Sequence, residues 1–348
     1  MNTEAIVTFR DVDLASLEYA ALSYVWGSAQ KLTLRRWDMA RLEIPGSLRG
    51  QVSRTIEDAM DITARLKIRY IWVDALCIVQ DNDGDKSIHI SNMSAIYEYS
   101  LLTILAAAGA DADAGLPGLR VPRTASQSHA LIKNPSATSP GMSLMTLLNL
   151  DSGRGFYDHY LDESVWAARG WTLQERVMSR RNLIFTNQQI YWACRKSQWC
   201  EETQLETSLA RSSWFSMDEA ETILDPACIN RQAPSDTVEQ AWFQLRKLVL
   251  SYTRRQLTNQ GDAHDAFAAI LQEAAMQIGE HFLWGLPASR FELGLCWEPQ
   301  WAGLSRRKAL STLKLTSLHR HVPFPTWSWM GWQGPVNLRV EDRYVDLG

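Results

Sequence analysis

The chain has 348 residues, 46% of them hydrophobic, with a formal net charge of -4 and no long basic run. That length suits two modest domains or one large one with an appendage, and the charge argues against nucleic acid as a partner. No stretch approaches the roughly 20 apolar residues of a membrane span, and Met1-Asn2-Thr3-Glu4 lacks the basic-then-apolar pattern of a secretion signal.

In chain order, Ile6 to Phe9 reads as an opening strand, and Tyr19-Ala20-Ala21-Leu22-Ser23-Tyr24-Val25-Trp26-Gly27 as a second strand running into a glycine. A glycine there permits positive φ or a close backbone approach to a ligand. Lys31 to Leu42 reads as a short hairpin. Val52, Ile56, Ala59, Met60 and Thr63 recur at helical spacing, which predicts a helix from about Leu48 to Leu66. The stretch Arg69 to Gln80 is an almost continuous apolar run, predicted as a strand in the middle of a parallel sheet and buried on both faces. Asp74 interrupts it with a carboxylate that costs several kcal/mol unless it is satisfied. Either a nearby donor pins Asp74, or it ends the strand facing a site.

A helix capped by Asp85 is expected to reach about Ser100, followed by a buried strand over Leu101 to Gly109. Strand, helix, strand, helix, strand predicts a parallel α/β sheet flanked by helices, with Gly27, Asp74 or Gln80, and Gly109 near its carboxyl edge. Residues 110 to 143 read as a surface loop. Beyond it, Trp166 to Arg176 predicts a turn opening a short helix, and Asn182 to Phe185 and Gln189 to Ala193 predict two strands. Helices are expected at Val238 to Arg254 and Ala263 to Ile278, with extended pieces at Leu295-Cys296-Trp297 and around Trp327-Ser328-Trp329, whose tryptophans alternate on one strand face. The predicted division is a core domain over 1–200 and a Trp-rich α+β appendage over 201–348, with too few helices for a strong core of its own.

Fifteen tryptophans are an unusual number, and core filling is their ordinary use. Five cysteines without CxxC spacing fit a reducing compartment and structural thiols, so a cytoplasmic protein is expected. Asp81, Asp83 and Asp85 begin like a calcium loop, but Lys86 stands where glycine is required and Asn92 where glutamate is, so no metal is expected. Cys77 lies inside an apolar run, where its thiol stays inert. Glu175 follows a glycine turn in Trp171-Thr172-Leu173-Gln174-Glu175, and reads either as charge compensation near a helix N-terminus or a pairing with Arg176, Arg180 or Arg169, or as a catalytic carboxylate.

Four blocks in order resemble the fungal HET (heterokaryon incompatibility) domain family: Ala21-Leu22-Ser23-Tyr24-Val25-Trp26-Gly27, Tyr70-Ile71-Trp72-Val73-Asp74-Ala75-Leu76-Cys77-Ile78-Val79-Gln80-Asp81, Met93 with Ile96-Tyr97, and Arg169-Gly170-Trp171-Thr172-Leu173-Gln174-Glu175. Trp327-Ser328-Trp329 extends the likeness towards the C-terminus. Val79 stands where the family usually has Asn, and 85–91 lacks its usual Glu-Arg and Gln. The resemblance implies cell death when genetically different hyphae fuse, and a more remote likeness to TIR domains with their flavodoxin-like sheet. That likeness implies hydrolysis of NAD at the nicotinamide bond, with NAD as substrate rather than bound cofactor. Glu175 and Asp74 would then be the catalytic residues, and Ser23, Tyr24, Trp26, Gly27 and Trp171 would bind the nucleotide. The alternative it implies is a non-enzymatic death-signalling module acting by self-association or through a regulatory partner protein.

Overall fold

The computed structural model describes residues 4–8, 16–123, 129–132, 142–145, 161, 163–194, 197–201, 236–301, 303–308, 310–314 and 321–339. The chain divides into two compact units. The first takes Met1–Asn82, Ser100–Trp166 and Arg181–Asp218; the second takes Asp83–Tyr99, Ala167–Arg180 and Glu219–Gly348. Where the sequence predicts one cut at residue 200, the units interleave along the chain.

In the first unit, β1 (Tyr19–Ser23) is followed by α1 (Met39–Leu42), α2 (Arg54–Arg65), β2 (Tyr70–Trp72) and α3 (Asp74–Cys77). The second unit's α4 (Asp83–Ser91) and α5 (Met93–Tyr99) come next in sequence, and then β3 (Leu102–Ala106), β4 (His129–Ile132) and β5 (Met142–Met145). After α6 (Gly170–Met178) of the second unit come β6 (Arg181–Phe185), β7 (Ile190–Cys194) and β8 (Ser197–Cys200). Six strands form one sheet in the order β2-β1-β3-β6-β7-β8. The first four run parallel, and β7 and β8 add on antiparallel. β4 and β5 pair separately as an antiparallel hairpin.

Every residue of β1 and β3 is buried, as their unbroken apolar sequences require of strands covered on both faces. Leu22, Ile56, Ala59, Leu76, Leu102, Ile104 and Phe185 meet in the core of this unit. The loop after β3 is strapped to the first turns of α2. Thr55 N–H donates to Ala112 O (3.0 Å), Gly115 N–H to Thr55 Oγ1 (3.0 Å) and Leu116 N–H to Asp58 Oδ2 (2.8 Å). Burial pushes the Asp58 carboxyl up, against the Leu116 N–H and Arg120, whose Nη1 lies 3.4 Å from Oδ1. A raised native pKa gives stability that is full below the unfolded value of about 3.9 and is lost as pH rises through the native pKa. Asp58→Asn is therefore expected to melt progressively higher relative to the parent as pH rises above about 4. A difference in melting temperature that stays flat between pH 3 and 7 would contradict this.

Several expectations are corrected. The run Arg69 to Gln80 holds only a three-residue strand, half-buried at the sheet edge, and from Asp74 the chain turns into α3. Its backbone bonds to the preceding loop instead of a second strand: Leu34 N–H donates to Ala75 O, and Gln80 N–H to Leu34 O. Lys31 to Leu42 forms a 3-10 turn (Arg36–Asp38) and α1, with Asp38 holding Arg41 at 2.7 Å, and no hairpin. Residues 6–8 form no strand, and Phe9 lies outside the described residues. The helix expected up to Ser100 is two helices broken at Asn92, whose side chain turns back to Ile88 O (2.8 Å).

The second unit also contains α7 (Asp236–Thr253), α8 (Asp265–Ile278), α9 (Phe291–Gly294) and short two-stranded ribbons. In its core Leu245, Leu248, Val249, Tyr252, Phe267, Ile270 and Trp329 pack together, joined by Leu173 of α6. Trp327 and Trp329 do not alternate on a strand. Ser328 Oγ accepts from Met330 N–H (3.0 Å) and opens a 3-10 turn, which buries Trp329 completely and leaves Trp327 39% exposed. Trp329 sits edge-on to Phe267, and its indole N–H reaches Gly285 O (3.1 Å). Around Leu295 the chain closes α9 instead of extending.

Candidate functional site

Loops from three parallel strands meet at the carboxyl edge of the first unit's sheet, and Trp26 ties them together. Its indole N–H bridges both Asp74 carboxylate oxygens (3.0 and 2.9 Å), while its backbone O accepts from Ala112 N–H (3.1 Å). Asp74 also accepts from Ala75 N–H (2.7 Å), so donors from two segments offset the cost of its half-buried charge. Asp74 is thus pinned by nearby donors, and it opens α3 two residues beyond the carboxyl end of β2.

Gly27 follows with φ +55°, and a Cβ there would lie 2.5 Å from Asp111 Cβ and 3.3 Å from Ala110 O. The glycine lets the β1 loop close on the β3 loop. Tyr24 is buried, with its hydroxyl donating to Gln30 Oε1 (2.9 Å). Ser23 is buried too, and its Oγ accepts the indole N–H of fully buried Trp166 (2.7 Å). Ser23→Ala leaves that N–H without its acceptor, so it is expected to cost about 1–3 kcal/mol, read as a lower urea midpoint at unchanged m-value. Burial pushes the Cys77 thiol up to about 11, which keeps it in the inert thiol form.

Trp171 and Glu175 belong to the second unit, on α6. Here the structure gives nearly every residue of the Arg169 to Glu175 motif a local job. Arg169 is the extended N-cap residue, and its O accepts from Thr172 Oγ1 (2.8 Å). Gly170 N–H donates to Gln256 O (2.7 Å), and a Cβ on Gly170 would come within 2.4 Å of Leu257. Trp171 donates to Asp262 Oδ2 (3.4 Å), Leu173 enters the core, and buried Gln174 accepts from Ala269 N–H (3.3 Å). Glu175 is half-buried and one turn beyond Trp171 on the same helix face. It is the sixth residue of the helix and the first turn holds no acidic residue, so compensation of the helix N-terminus does not account for it. Arg180, a sequence-level partner for Glu175, faces Glu98 at 3.6 Å and lies over the Tyr99 ring.

The structure thus brings Trp26, Gly27 and Asp74 together in the first unit, and sets Trp171 and Glu175 on one helix in the second. It also shows a feature that sequence reasoning missed. A cleft of about 260 Å³ opens at the carboxyl ends of β3 and β6, lined by residues 107–110, 163–165 and 186–188. Of these, the sequence marks only Gly109 as near the carboxyl edge. Glu163, Asn187 and Gln188 stand in short segments without periodicity, so no pattern marks them. Among the described residues no group of three or more His, Cys, Asp or Glu is gathered to hold a metal, and no helix is long and apolar enough to cross a membrane.

A family model described as Heterokaryon incompatibility protein (HET) matches residues 19–175, from the start of β1 into α6. No curated protein and no solved structure matches the chain.

Proposed function

We propose, on the premise that residues 19–175 belong to the heterokaryon incompatibility (HET) domain family, that the chain is a cell-death effector that hydrolyses NAD at its nicotinamide–ribose bond. The membership itself points to a heterokaryon incompatibility role in cell death. The observation that carries the finer reading is strand order. β2-β1-β3-β6 run parallel in the 2-1-3-4 order of flavodoxin-like sheets, which the remote TIR likeness implies and which places ligands at the carboxyl edge.

In the proposed reaction the bond from ribose C1′ to the nicotinamide nitrogen breaks, and its electron pair leaves on nicotinamide. Positive charge develops on the ribose, and Glu175 is the carboxylate assigned to stabilise it. Water then adds at C1′ and gives up a proton, leaving nicotinamide, ADP-ribose and a proton. Within the first unit, Asp74 holds the edge loops in register through the Trp26 indole. The test is to incubate purified protein with NAD, in dilute and in crowded solution. Nicotinamide and ADP-ribose are expected in equal amounts, and preparations that kill cells but release neither would overturn the proposal.

A second reading, a death-signalling module that acts by self-association or partner binding, draws on exposed aromatic surface. Trp37 is 72% exposed and Trp301 57% exposed, more than core filling explains.

A further inference from the structure

The outer face of α7 carries a stripe that the core does not use. Leu245, Leu248, Val249 and Tyr252 turn inward, while Phe243, Lys247 and Arg254, the last one residue past the helix end, are exposed. Their spacing of i, i+4 and i+11 puts them on one side of the helix. Over 240–256 the sequence holds Arg246, Lys247, Arg254 and Arg255 and no acidic residue. Each exposed cation is stacked on a ring. The Lys247 ammonium lies 4.5 Å from the centre of the Phe243 ring, and the Arg254 guanidinium 5.7 Å from that of Trp301. A ribbon brings Trp301 there. Val336 N–H donates to Thr253 Oγ1 (3.1 Å), Gln300 N–H to Pro335 O (2.9 Å), and Arg254 Nη2 to Gln300 Oε1 (2.8 Å). Glu298 on the same ribbon is paired with Arg339 (2.7 Å), and among the described residues no carboxylate pairs with Lys247 or Arg254.

We infer that this stripe docks the chain on an anionic lipid surface. Its charge calls for an anionic partner, and the rings narrow the choice. Phe243 is 49% exposed and Trp301 57% exposed, and aromatic rings interspersed with Lys and Arg are the residue set that lies in a lipid headgroup region. A nucleic acid needs ring faces open to stacking bases, and here the chain's own cations cover one face of each ring. An acidic peptide needs a groove or an open strand edge to bury itself against, and the outside of a single helix is convex. A bilayer offers a flat array of anions and needs neither. The chain is then held on a membrane without spanning it. The inference does not depend on the NAD reading.

The test is cosedimentation of the full chain with vesicles of one part phosphatidylserine to two of phosphatidylcholine, and with vesicles of phosphatidylcholine alone. The chain is expected to sediment with the first and not the second. Raising the salt from about 0.1 M to about 1 M, which shortens the Debye length from about 10 to 3 Å, is expected to release it. Each basic residue at such a surface is worth a factor of about five, so Lys247→Gln with Arg254→Gln is expected to weaken binding about tenfold or more. Arg35→Gln with Arg36→Gln removes two exposed charges in the first unit and is expected to change binding less than about twofold. Melting curves establish that both double variants fold; if the first does not, Lys247→Gln alone replaces it, with an expected loss of about fivefold. The inference falls if the parent ignores the anionic vesicles, binds phosphatidylcholine alone as well, or is indifferent to salt. It falls equally if the α7 variant binds like the parent, or if both double variants lose the same. Capture by an oligoglutamate peptide or an oligonucleotide in preference to the vesicles would give the stripe to an acidic protein or a nucleic acid and overturn the membrane assignment.

Discussion

Glu175→Gln is expected to lower NAD cleavage and killing by a hundredfold or more while leaving the fold intact. The substitution keeps the size of the side chain and much of its hydrogen bonding, and removes only the negative charge. If that charge faces a cationic ribose in the transition state, roughly 2.7–4 kcal/mol of stabilisation is lost, which is a factor of a hundred to a thousand. A charge serving only the helix end would be worth about 0.3–1 kcal/mol, and the position of Glu175 beyond the first turn of α6 reduces even that. Pairing a melting curve with NAD-cleavage and cell-death assays separates the two. A folded Glu175→Gln protein that cleaves NAD and kills at the parent rate would remove the catalytic assignment and favour the assembly module. One that has lost cleavage but still kills would separate enzyme from effector in the same molecule.

The sequence announces the parts of this fold whose burial is continuous. β1 and β3 are unbroken apolar runs, and α2 keeps Ile56, Ala59 and Thr63 on one face, so their types and order are legible. The run from Tyr70 to Val79 misleads because a short buried apolar segment reads alike as strand or helix. Asp74 is the visible mark of the change, since a carboxylate suits the first turn of a helix better than a strand interior. Tryptophan spacing misleads at 327–329 for a different reason. Ser328 uses its hydroxyl to cap a 3-10 turn, and that local bond overrides the period-2 pattern. The Trp26–Asp74 bond spans 48 positions and the Trp166–Ser23 bond 143, so neither partner is recognisable before the chain is folded. The β3–β6 cleft is harder still, because it is assembled from three separate segments and its polar groups carry no periodicity.

Gly27→Ala is expected to cost the most stability of any substitution considered. Two penalties add. At φ +55° an alanine is in the left-handed region, at about 1–2 kcal/mol, and its methyl would sit 2.5 Å from Asp111 Cβ and 3.1 Å from Asp111 Cα. Those neighbours are the base of a side chain and the backbone, not a flexible tip, so the loops must move apart at a further cost of about 1–3 kcal/mol. The sum of about 2–5 kcal/mol corresponds to a fall in melting temperature of about 4–20 °C for a domain of 150–250 residues. Gly46 supplies the control: its φ is +83° and a Cβ there meets nothing within 4 Å, so Gly46→Ala carries the backbone penalty alone. A Gly27→Ala protein no less stable than Gly46→Ala would show that the close approach of the β1 and β3 loops is not what requires glycine. If that protein also failed to bind nucleotide, the glycine would be serving a ligand instead. If Gly27→Ala is much the less stable and Gly46→Ala is mild, the glycine at the end of the Ser23 to Gly27 block is there to close one loop on the other. Trp26 is then held in place from both sides, by Asp74 at its indole and by Ala112 at its backbone.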